Sequence, residues 1–256
     1  MTVLSRYAEI YDLLNSEKDY EGEARFVSAL IREVSPAART ALNLGCGTGR
    51  HDLLLARHGF HVLGIEISAD MLAEAERLRV GAQDLSGNLT FAKGDLRNYD
   101  ASQQFDTVMS LFHVLSYQTD DSDITAAFDT MRRHMTSDAV GLFDLWHGPA
   151  VEGVRPEIRV RHAESDALKV TRLAEPQLIA DRNIVNVKFT FFVEEKPTGS
   201  ISSFSEVHPM RYFFPEEIEA HIRNAGLTLK ETGEWMTRAA PSAHSWSVYY
   251  LVEKQK

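Results

Sequence analysis

Hydrophobic residues between positions 22 and 144 follow two periods, one typical of helices and one typical of buried strands. Apolar residues at 26, 27, 30, 31 and 34 recur at helical spacing, and apolar runs occupy 40–44, 61–65, 89–92, 105–111 and 139–144. A second helical face, at 124, 127, 128, 131 and 135, precedes the last run. Strands that alternate with helices imply right-handed crossovers, so this part of the chain predicts a parallel sheet covered on both faces.

The pattern changes after Trp146. Between about 156 and 214, β-branched and aromatic residues alternate with polar ones, which predicts antiparallel strands at 158–161, 169–173, 185–193 and 201–212. Pro215 opens a helix that Gly226 closes, and two final strands are expected at 228–232 and 246–252.

These elements predict a single α/β domain over residues 1–256, with a Rossmann-like, doubly wound and mostly parallel sheet of seven strands. An antiparallel β-sheet is inserted after strand five. Residues 1–150 would form the ligand-binding α/β core, 151–212 the inserted sheet, and 213–256 the closing helix and last two strands. A sheet inserted there would cover the crevice at the carboxyl ends of the parallel strands.

Three glycines at alternating positions follow the first predicted strand, as Gly45, Gly47 and Gly49. Without Cβ atoms, such a loop lets a ligand lie against the backbone, and the helix that follows offers free N–H groups. The spacing differs from the Gly-x-Gly-x-x-Gly that binds a dinucleotide pyrophosphate. It favours a nucleoside with a carboxylate-bearing tail over NAD, the alternative being a glycine-rich turn with no ligand.

Two acids follow the next two strands. Glu66 ends the second strand, where it could accept hydrogen bonds from both ribose hydroxyls or only favour the N-terminus of the next helix. Asp95 ends the third strand, where it could accept a hydrogen bond from the exocyclic amine of an adenine.

Together these residues resemble the class I S-adenosylmethionine-dependent methyltransferases, over roughly residues 22–145 and the closing elements. The resemblance implies that S-adenosyl-L-methionine is the cofactor, held by its methionine part at the glycine loop, its ribose at Glu66 and its adenine at Asp95. The family usually carries an acid where this chain has Asn43, so weaker binding of the cofactor's ammonium is expected. The cofactor-binding residues implied are Tyr20, Asn43, Gly45, Cys46, Gly47, Thr48, Gly49, Glu66, Ile67, Asp95, Leu96 and Leu111.

A narrower resemblance comes from residues 7–14 (Tyr-Ala-Glu-Ile-Tyr-Asp-Leu-Leu) and 110–117 (Ser-Leu-Phe-His-Val-Leu-Ser-Tyr). Both segments and the inserted sheet are similar to N-methyltransferases that act on nucleotide-linked amino sugars. In that group a tyrosine of the first helix and a residue after strand four border the methyl group and the acceptor amine. This implies catalytic roles for Tyr11 and Tyr117, although the second position is often histidine there and Tyr11 could instead only pack its helix.

Methyl transfer needs an oriented acceptor and the removal of one acceptor proton. His113 is the candidate base, because the unperturbed pKa of histidine lies near neutrality; a histidine that only braces its loop is the alternative. Trp146 and His147, after strand five, are candidate acceptor contacts. His208 and Arg211 in the last inserted strand are also candidates, although an exposed sheet face is a simpler interpretation. The histidines lack metal-ligand spacing, so no metal is expected.

Charge and cysteine content narrow the choice of partner. The net charge is −10 over 256 residues, which argues against nucleic acid or an anionic membrane as the partner, and Cys46 is the single cysteine. We predict a cytoplasmic methyltransferase that acts on an amine or hydroxyl of a small molecule, foremost a sugar on a nucleotide carrier, with a homodimer as an open option. The alternatives are a cofactor-binding module without turnover, suggested by Asn43, and, more distantly, an NAD-dependent oxidoreductase.

Overall fold

The computed structural model describes residues 3–83 and 85–255. The helices are α1 (Val3–Leu14), α2 (Tyr20–Val34), α3 (Arg50–Arg57), α4 (Ala69–Gly81), α5 (Asp121–His134), α6 (Gly148–Val154) and α7 (Pro215–Asn224). The strands are β1 (Thr40–Leu44), β2 (His61–Glu66), β3 (Leu89–Lys93), β4 (Phe105–Ser110), β5 (Met135–His147), β6 (Arg159–Glu164), β7 (Leu168–Ile179), β8 (Ile184–Glu195), β9 (Ser200–Phe213), β10 (Leu227–Glu234) and β11 (Ser247–Lys254). A 3₁₀ turn at Val114–Tyr117 follows β4.

Seven strands form the central sheet in the order β3-β2-β1-β4-β5-β11-β10. Strands β1 to β5 are parallel, and β11 runs antiparallel to both of its neighbours. Asn43 of β1 lies opposite Gly64 of β2 and Met109 of β4. The predicted sheet is therefore confirmed, and the carboxyl ends of the parallel strands β1 to β5 meet at one edge.

Both faces of this sheet are covered by buried apolar side chains. Phe143 of β5 packs into the layer that includes Phe128 of α5, whereas its neighbour Leu142 packs into the layer that includes Leu30 of α2. Successive side chains of a strand point to opposite faces, so a strand buried on both sides is a nearly continuous apolar run. This is why β1 and the middle of β5 were predictable.

Strands β6 to β9 form the inserted antiparallel sheet, which agrees with the prediction. The sheet pairs with the core strands through Trp146 and His147 of β5, which lie opposite Tyr212 and Phe213 of β9. Its inner face packs on α1, where Ile10 and Leu14 lie among residues of β7 and β8. Helix α1 and the insert together cover the carboxyl edge of the parallel strands.

The structure extends two of the predicted strands and adds a helix. Strand β5 extends beyond the predicted 139–144 at both ends, and β7 continues to Ile179 beyond the predicted 169–173. Helix α6, which was not predicted, follows β5 directly at Gly148. A proline in the first turn is compatible with a helix because its missing N–H is not needed there. Within the described part of the chain, no helix is long and apolar enough to cross a membrane.

Candidate active site

A cavity of about 1160 Å³ lies between the carboxyl edge of the parallel strands and the inner face of the inserted sheet. Most residues predicted for the site line it: Tyr11, Tyr20, Asn43, Gly45, Cys46, Gly47, Thr48, Glu66, Ile67, Asp95, Leu96, Leu111, His113, Tyr117, Trp146 and His208. Gly49, His147 and Arg211 are not among the lining residues. The cavity therefore has a floor built by the core and a roof built by the insert and α1.

The glycine loop presents bare backbone to this cavity. Gly47 has a φ of +56°, and a Cβ placed there would meet no atom within 4 Å. Gly49 has a φ of +74° and caps α3, but a Cβ there would lie 2.4 Å from the ring of Phe91. Gly47 thus leaves room for a ligand, whereas Gly49 lets α3 pack closely against β3.

Glu66 ties the loop to the end of β2. The backbone N–H of Gly47 donates to its Oε2 over 3.0 Å, and the N–H of Ser68 donates to Oε1 over 2.8 Å. Each carboxylate oxygen has a further lone pair that can accept from a ligand hydroxyl. Ile67, which follows, lines the cavity with 59% of its surface exposed, so an apolar contact lies beside the acid.

Asp95 is held by the guanidinium of Arg97. The Nε and Nη2 atoms of Arg97 donate to both carboxylate oxygens, over 3.0 to 2.6 Å. The hydrogen bonds from Arg97 lower the pKa of Asp95, so the carboxylate stays ionised as an acceptor. Leu96 and Leu111 are almost fully buried and add apolar walls to the cavity.

Asn43 is paired with a buried acid on α3. Its Nδ2 donates to Oδ1 of Asp52 over 2.6 Å, and both residues are buried. The side-chain oxygen of Asn43, Oδ1, is buried without a hydrogen-bond partner in the described structure. Burial raises the pKa of Asp52 to about 7, while the bond from Asn43 opposes this shift. A carboxyl group is therefore absent from position 43, but one is present beside it on the adjoining helix.

His113 lies beside a buried acid in a strained turn. Phe112 and His113 have φ values of +65° and +62°, which non-glycine residues rarely adopt. Oδ1 of Asp144 accepts the backbone N–H of Phe112 over 2.6 Å, and Oδ2 lies 2.7 Å from Nδ1 of His113 without the alignment of a hydrogen bond. Asp144 thus stabilises the turn and keeps a negative charge beside the imidazole.

A second histidine lies in the roof, within a chain of three polar side chains. The Tyr117 hydroxyl and Nδ1 of His208 are 3.0 Å apart, and Nε2 of His208 is 3.0 Å from Oε2 of Glu206. The carboxylate fixes the tautomer with a proton on Nε2, so Nδ1 accepts from Tyr117. Oε1 of Glu206 is buried and has no hydrogen-bond partner in the described structure. A buried carboxylate oxygen at the wall of a cavity is suited to a cationic ligand group.

The tyrosines around the cavity are neutral phenols at physiological pH. Burial raises the pKa of Tyr7 to about 12 and raises the pKa values of Tyr11, Tyr20 and Tyr117 further. Tyr117 exposes 44% of its surface, and it lines the cavity. These hydroxyls can orient an acceptor and relay a proton, but they do not ionise to act as bases on their own.

Arg211 and His147 occupy other environments. Nη2 of Arg211 donates to Oδ1 of Asp121 over 2.6 Å and to Glu217, so the largely buried guanidinium is paired with an exposed and a half-buried carboxylate. The side chains of Asp121, Glu217 and His221 lie close enough together to hold a metal ion, but Arg211 already pairs with both carboxylates. His147 is 3% exposed and borders a separate small pocket, and burial lowers its pKa. Neither side chain lines the large cavity.

Several lining residues were not predicted, namely Tyr7, Arg159, Arg161, Arg172, Phe189 and Glu206. Except for Tyr7, all of them lie in inserted strands, whose alternating pattern predicts two faces but does not tell which one turns inward. The two-residue spacing of Glu206 and His208 was the available signal, because such residues share a strand face.

The comparisons with known proteins agree with this geometry. Residues 41–138 match a family model described as a methyltransferase domain. The chain is 29% identical over 226 residues to dTDP-3-amino-3,6-dideoxy-alpha-D-glucopyranose N,N-dimethyltransferase of Streptomyces fradiae, which covers 87% of this chain and 84% of the relative. It is 28% identical over 228 residues to dTDP-3-amino-3,4,6-trideoxy-alpha-D-glucopyranose N,N-dimethyltransferase of Streptomyces venezuelae, which covers 88% and 91%.

A crystal structure of an S-adenosylmethionine-dependent methyltransferase from Clostridium acetobutylicum ATCC 824 superposes with a TM-score of 0.82. The match covers 100% of both chains at 22% identity. This likeness supports the fold, including the inserted sheet and the closing strands.

Proposed function

We propose that the chain is a class I S-adenosylmethionine-dependent methyltransferase that methylates the amine of a small amino sugar carried on a nucleotide. The observation that carries the proposal is the hydrogen-bonded chain from Glu206 and His208 in the roof to Tyr117 of the core. It offers a negative charge for a protonated amine and a route for the proton that the amine must lose. The two Streptomyces relatives are named as methyltransferases of dTDP-linked amino sugars.

The floor of the cavity suits S-adenosylmethionine, which supplies an activated methyl group when bound. Gly47 leaves open backbone, and the buried, unpartnered Oδ1 of Asn43 can accept from the ammonium of the methionine part. Glu66 retains acceptor capacity for the ribose hydroxyls. Asp95 stays ionised beside Leu96, where an adenine amine would need an acceptor and its ring an apolar surface. These residues would hold the cofactor.

The acceptor amine must be a free base before it can attack, because an ammonium has no lone pair. Glu206 attracts the protonated amine into the cavity through charge. A proton can then pass to the Tyr117 oxygen while the Tyr117 hydroxyl donates its own proton to Nδ1 of His208. Tyr117 stays neutral throughout, and the negative charge of Glu206 stabilises the imidazolium that forms.

His113 with Asp144 is a second candidate for proton removal. It lines the same cavity, and its imidazole is 20% exposed beside a buried carboxylate. Positioning the acceptor nitrogen in line with the methyl group at about 3–3.5 Å supplies most of the remaining catalysis. An arrangement with two histidines near the acceptor favours an enzyme over a binding module that lacks turnover.

Mass spectrometry of reaction products tests the proposal. Purified protein is incubated with S-adenosylmethionine and matched pairs of nucleotide sugars that carry an amine or a hydroxyl at the same carbon. We expect methylation of the amine member and little of the hydroxyl member. Methylation confined to hydroxyls would overturn the choice of nitrogen. Binding of the demethylated cofactor product without turnover on a broad panel would favour the binding module.

A further inference from the structure

Two arginines face each other across neighbouring strands of the roof. Arg161 of β6 lies directly opposite Arg172 of β7, and both line the cavity. Like charges placed directly opposite one another in a sheet destabilise it. Arg159 lies two residues before Arg161 and therefore projects from the same face, where it also lines the cavity. The inner face of the insert thus carries three guanidinium groups.

These arginines are poorly neutralised by the protein. Arg161 has one carboxylate neighbour, Oε2 of the highly exposed Glu17 at 4.0 Å. Among the side chains described for 7–83 and 85–255, no carboxylate lies within 4.0 Å of Arg172, and its buried Nε has no hydrogen-bond partner. Burial, with the charge of Arg161, lowers the pKa of Arg172, although Arg172 remains a cation. A cationic pair whose single carboxylate neighbour is a highly exposed glutamate at 4.0 Å is unusual in a chain of net charge −10.

The inner face of the roof therefore has an acidic region and a basic region. The Glu206 carboxylate and His208 lie on β9, whereas the guanidinium groups lie on β6 and β7, on the same inner face. The ring of Tyr7 lies 5.6 Å from the ring of His208, and the charges of Arg172 and Glu206 shift the pKa of its phenol in opposite directions. A ligand that matches this surface carries a cationic group at one end and an anionic group at the other.

We propose that Arg161 and Arg172, assisted by Arg159, bind the diphosphate group of the methyl acceptor. The inference rests on the proposed function for the amine end, and it adds the group that anchors the other end. A guanidinium presents a planar fork of N–H donors that matches phosphate oxygens, and two such forks can neutralise the two charges of a diphosphate diester. The anion would also satisfy the buried Nε of Arg172 and remove the repulsion between the arginines.

Calorimetric titration of the purified chain with a nucleoside diphosphate, with inorganic pyrophosphate and with glucuronate tests the subsite. We expect the diphosphates to bind, and Arg172→Gln and Arg161→Gln each to weaken that binding at least tenfold. Lys188→Gln is the matched control, because Lys188 lies on the outer face of β8 and loses the same charge. The affinity for the demethylated cofactor product should stay unchanged in all three variants.

Thermal melting of the ligand-free variants provides a second readout that also detects misfolding. Because the arginine pair is repulsive, Arg161→Gln should raise the melting temperature of the ligand-free protein by ~1–3 °C. Equal diphosphate affinity in wild type and both arginine variants, or binding of glucuronate in place of diphosphate, would overturn the subsite. If diphosphates bind through the arginines but no nucleotide amino sugar is methylated, the proposed function fails while the subsite stands.

Discussion

The hydroxyl of Tyr117 lies 3.0 Å from Nδ1 of His208, although 91 positions separate the two residues in the chain. Tyr117 belongs to the turn after β4 in the core, and His208 belongs to the last strand of the insert. This contact joins the half of the cavity that suits the cofactor to the half that suits the acceptor. The residues that it connects are therefore the first to test by substitution.

Replacing His208 by Gln should lower kcat by about 10²-fold, because the acceptor proton loses its receiving base. Tyr117→Phe should have a similar effect, since it removes the hydroxyl that connects the acceptor with the imidazole. Steady-state kinetics with an acceptor that the wild-type protein methylates measures kcat. Calorimetry measures the affinity for the demethylated cofactor product. Cofactor affinity should not change.

His113→Gln separates the two candidate bases. If His208 receives the proton, this variant should retain a kcat within about tenfold of wild type. The kcat of the double variant, with both His113→Gln and His208→Gln, should lie within about tenfold of that of His208→Gln alone. A loss of about 10²-fold in His113→Gln with an active His208→Gln would assign the base to His113 instead.

Replacing Glu66 by Ala should weaken binding of the demethylated cofactor product by about 10- to 100-fold. The variant removes acceptors for the ribose and also the two backbone bonds that hold Gly47 and Ser68. Calorimetry measures the change. Glu76→Gln on the exposed surface of α4 is the control, and its affinity should equal that of wild type. An unchanged affinity in Glu66→Ala would refute the ribose role.

Asp52 should make stability depend on pH. Its pKa is raised to about 7 in the folded chain, against 3.8 without burial. In that window the unfolded chain releases a proton that the folded chain retains, so stability falls as pH rises from about 4 to 7. The expected decrease in the free energy of unfolding is about 2–4 kcal/mol. Urea unfolding of wild type and Asp52→Asn at pH 4.5 and 8 measures it, and the variant should lose less stability over the interval. Parallel curves would contradict the assignment.

Arg211→Met should destabilise the fold without affecting binding. The substitution removes the partner of Asp121 and Glu217 and should cost about 1–3 kcal/mol in the free energy of unfolding. Because Arg211 lies outside the cavity lining, affinity for the cofactor product and KM for the acceptor should stay within twofold of wild type. A large rise in KM at unchanged stability would restore the original prediction of an acceptor contact.

The sequence was most informative where a residue's chemistry and its position in a strand both constrain its role. The apolar run at Thr40–Leu44 is buried as predicted, and the three glycines and Glu66 meet at the edge of the sheet because they follow adjacent parallel strands. Asn43 was recognised as a departure, but its pairing with Asp52 was not. They are nine positions apart in the chain, and only the packing of α3 on the sheet brings them together.

Long-range placement explains the remaining differences. His208 and Arg211 were both considered as acceptor contacts, yet residues three apart on a strand point to opposite faces. The structure turns the face of His208 inward, and Glu206 and Met210 follow it into the cavity lining. Both faces of the inserted sheet carry polar residues, so composition does not tell which face points inward. The packing of the sheet on α1, where Ile10 lies with Phe191 and Val193, decides this. No local pattern in the strands contains this information.

The insert pairs with the strands of the core through two residue positions, Trp146 with Tyr212 and His147 with Phe213. Most residues that suit the methyl donor are contributed by other strands and turns, so changes in β6 to β8 leave them intact. A chain built in this way can acquire a new acceptor by accumulating substitutions in a surface appendage, while its donor chemistry stays under separate selection. Acceptor preference can therefore diverge among descendants of one ancestral gene faster than donor preference does.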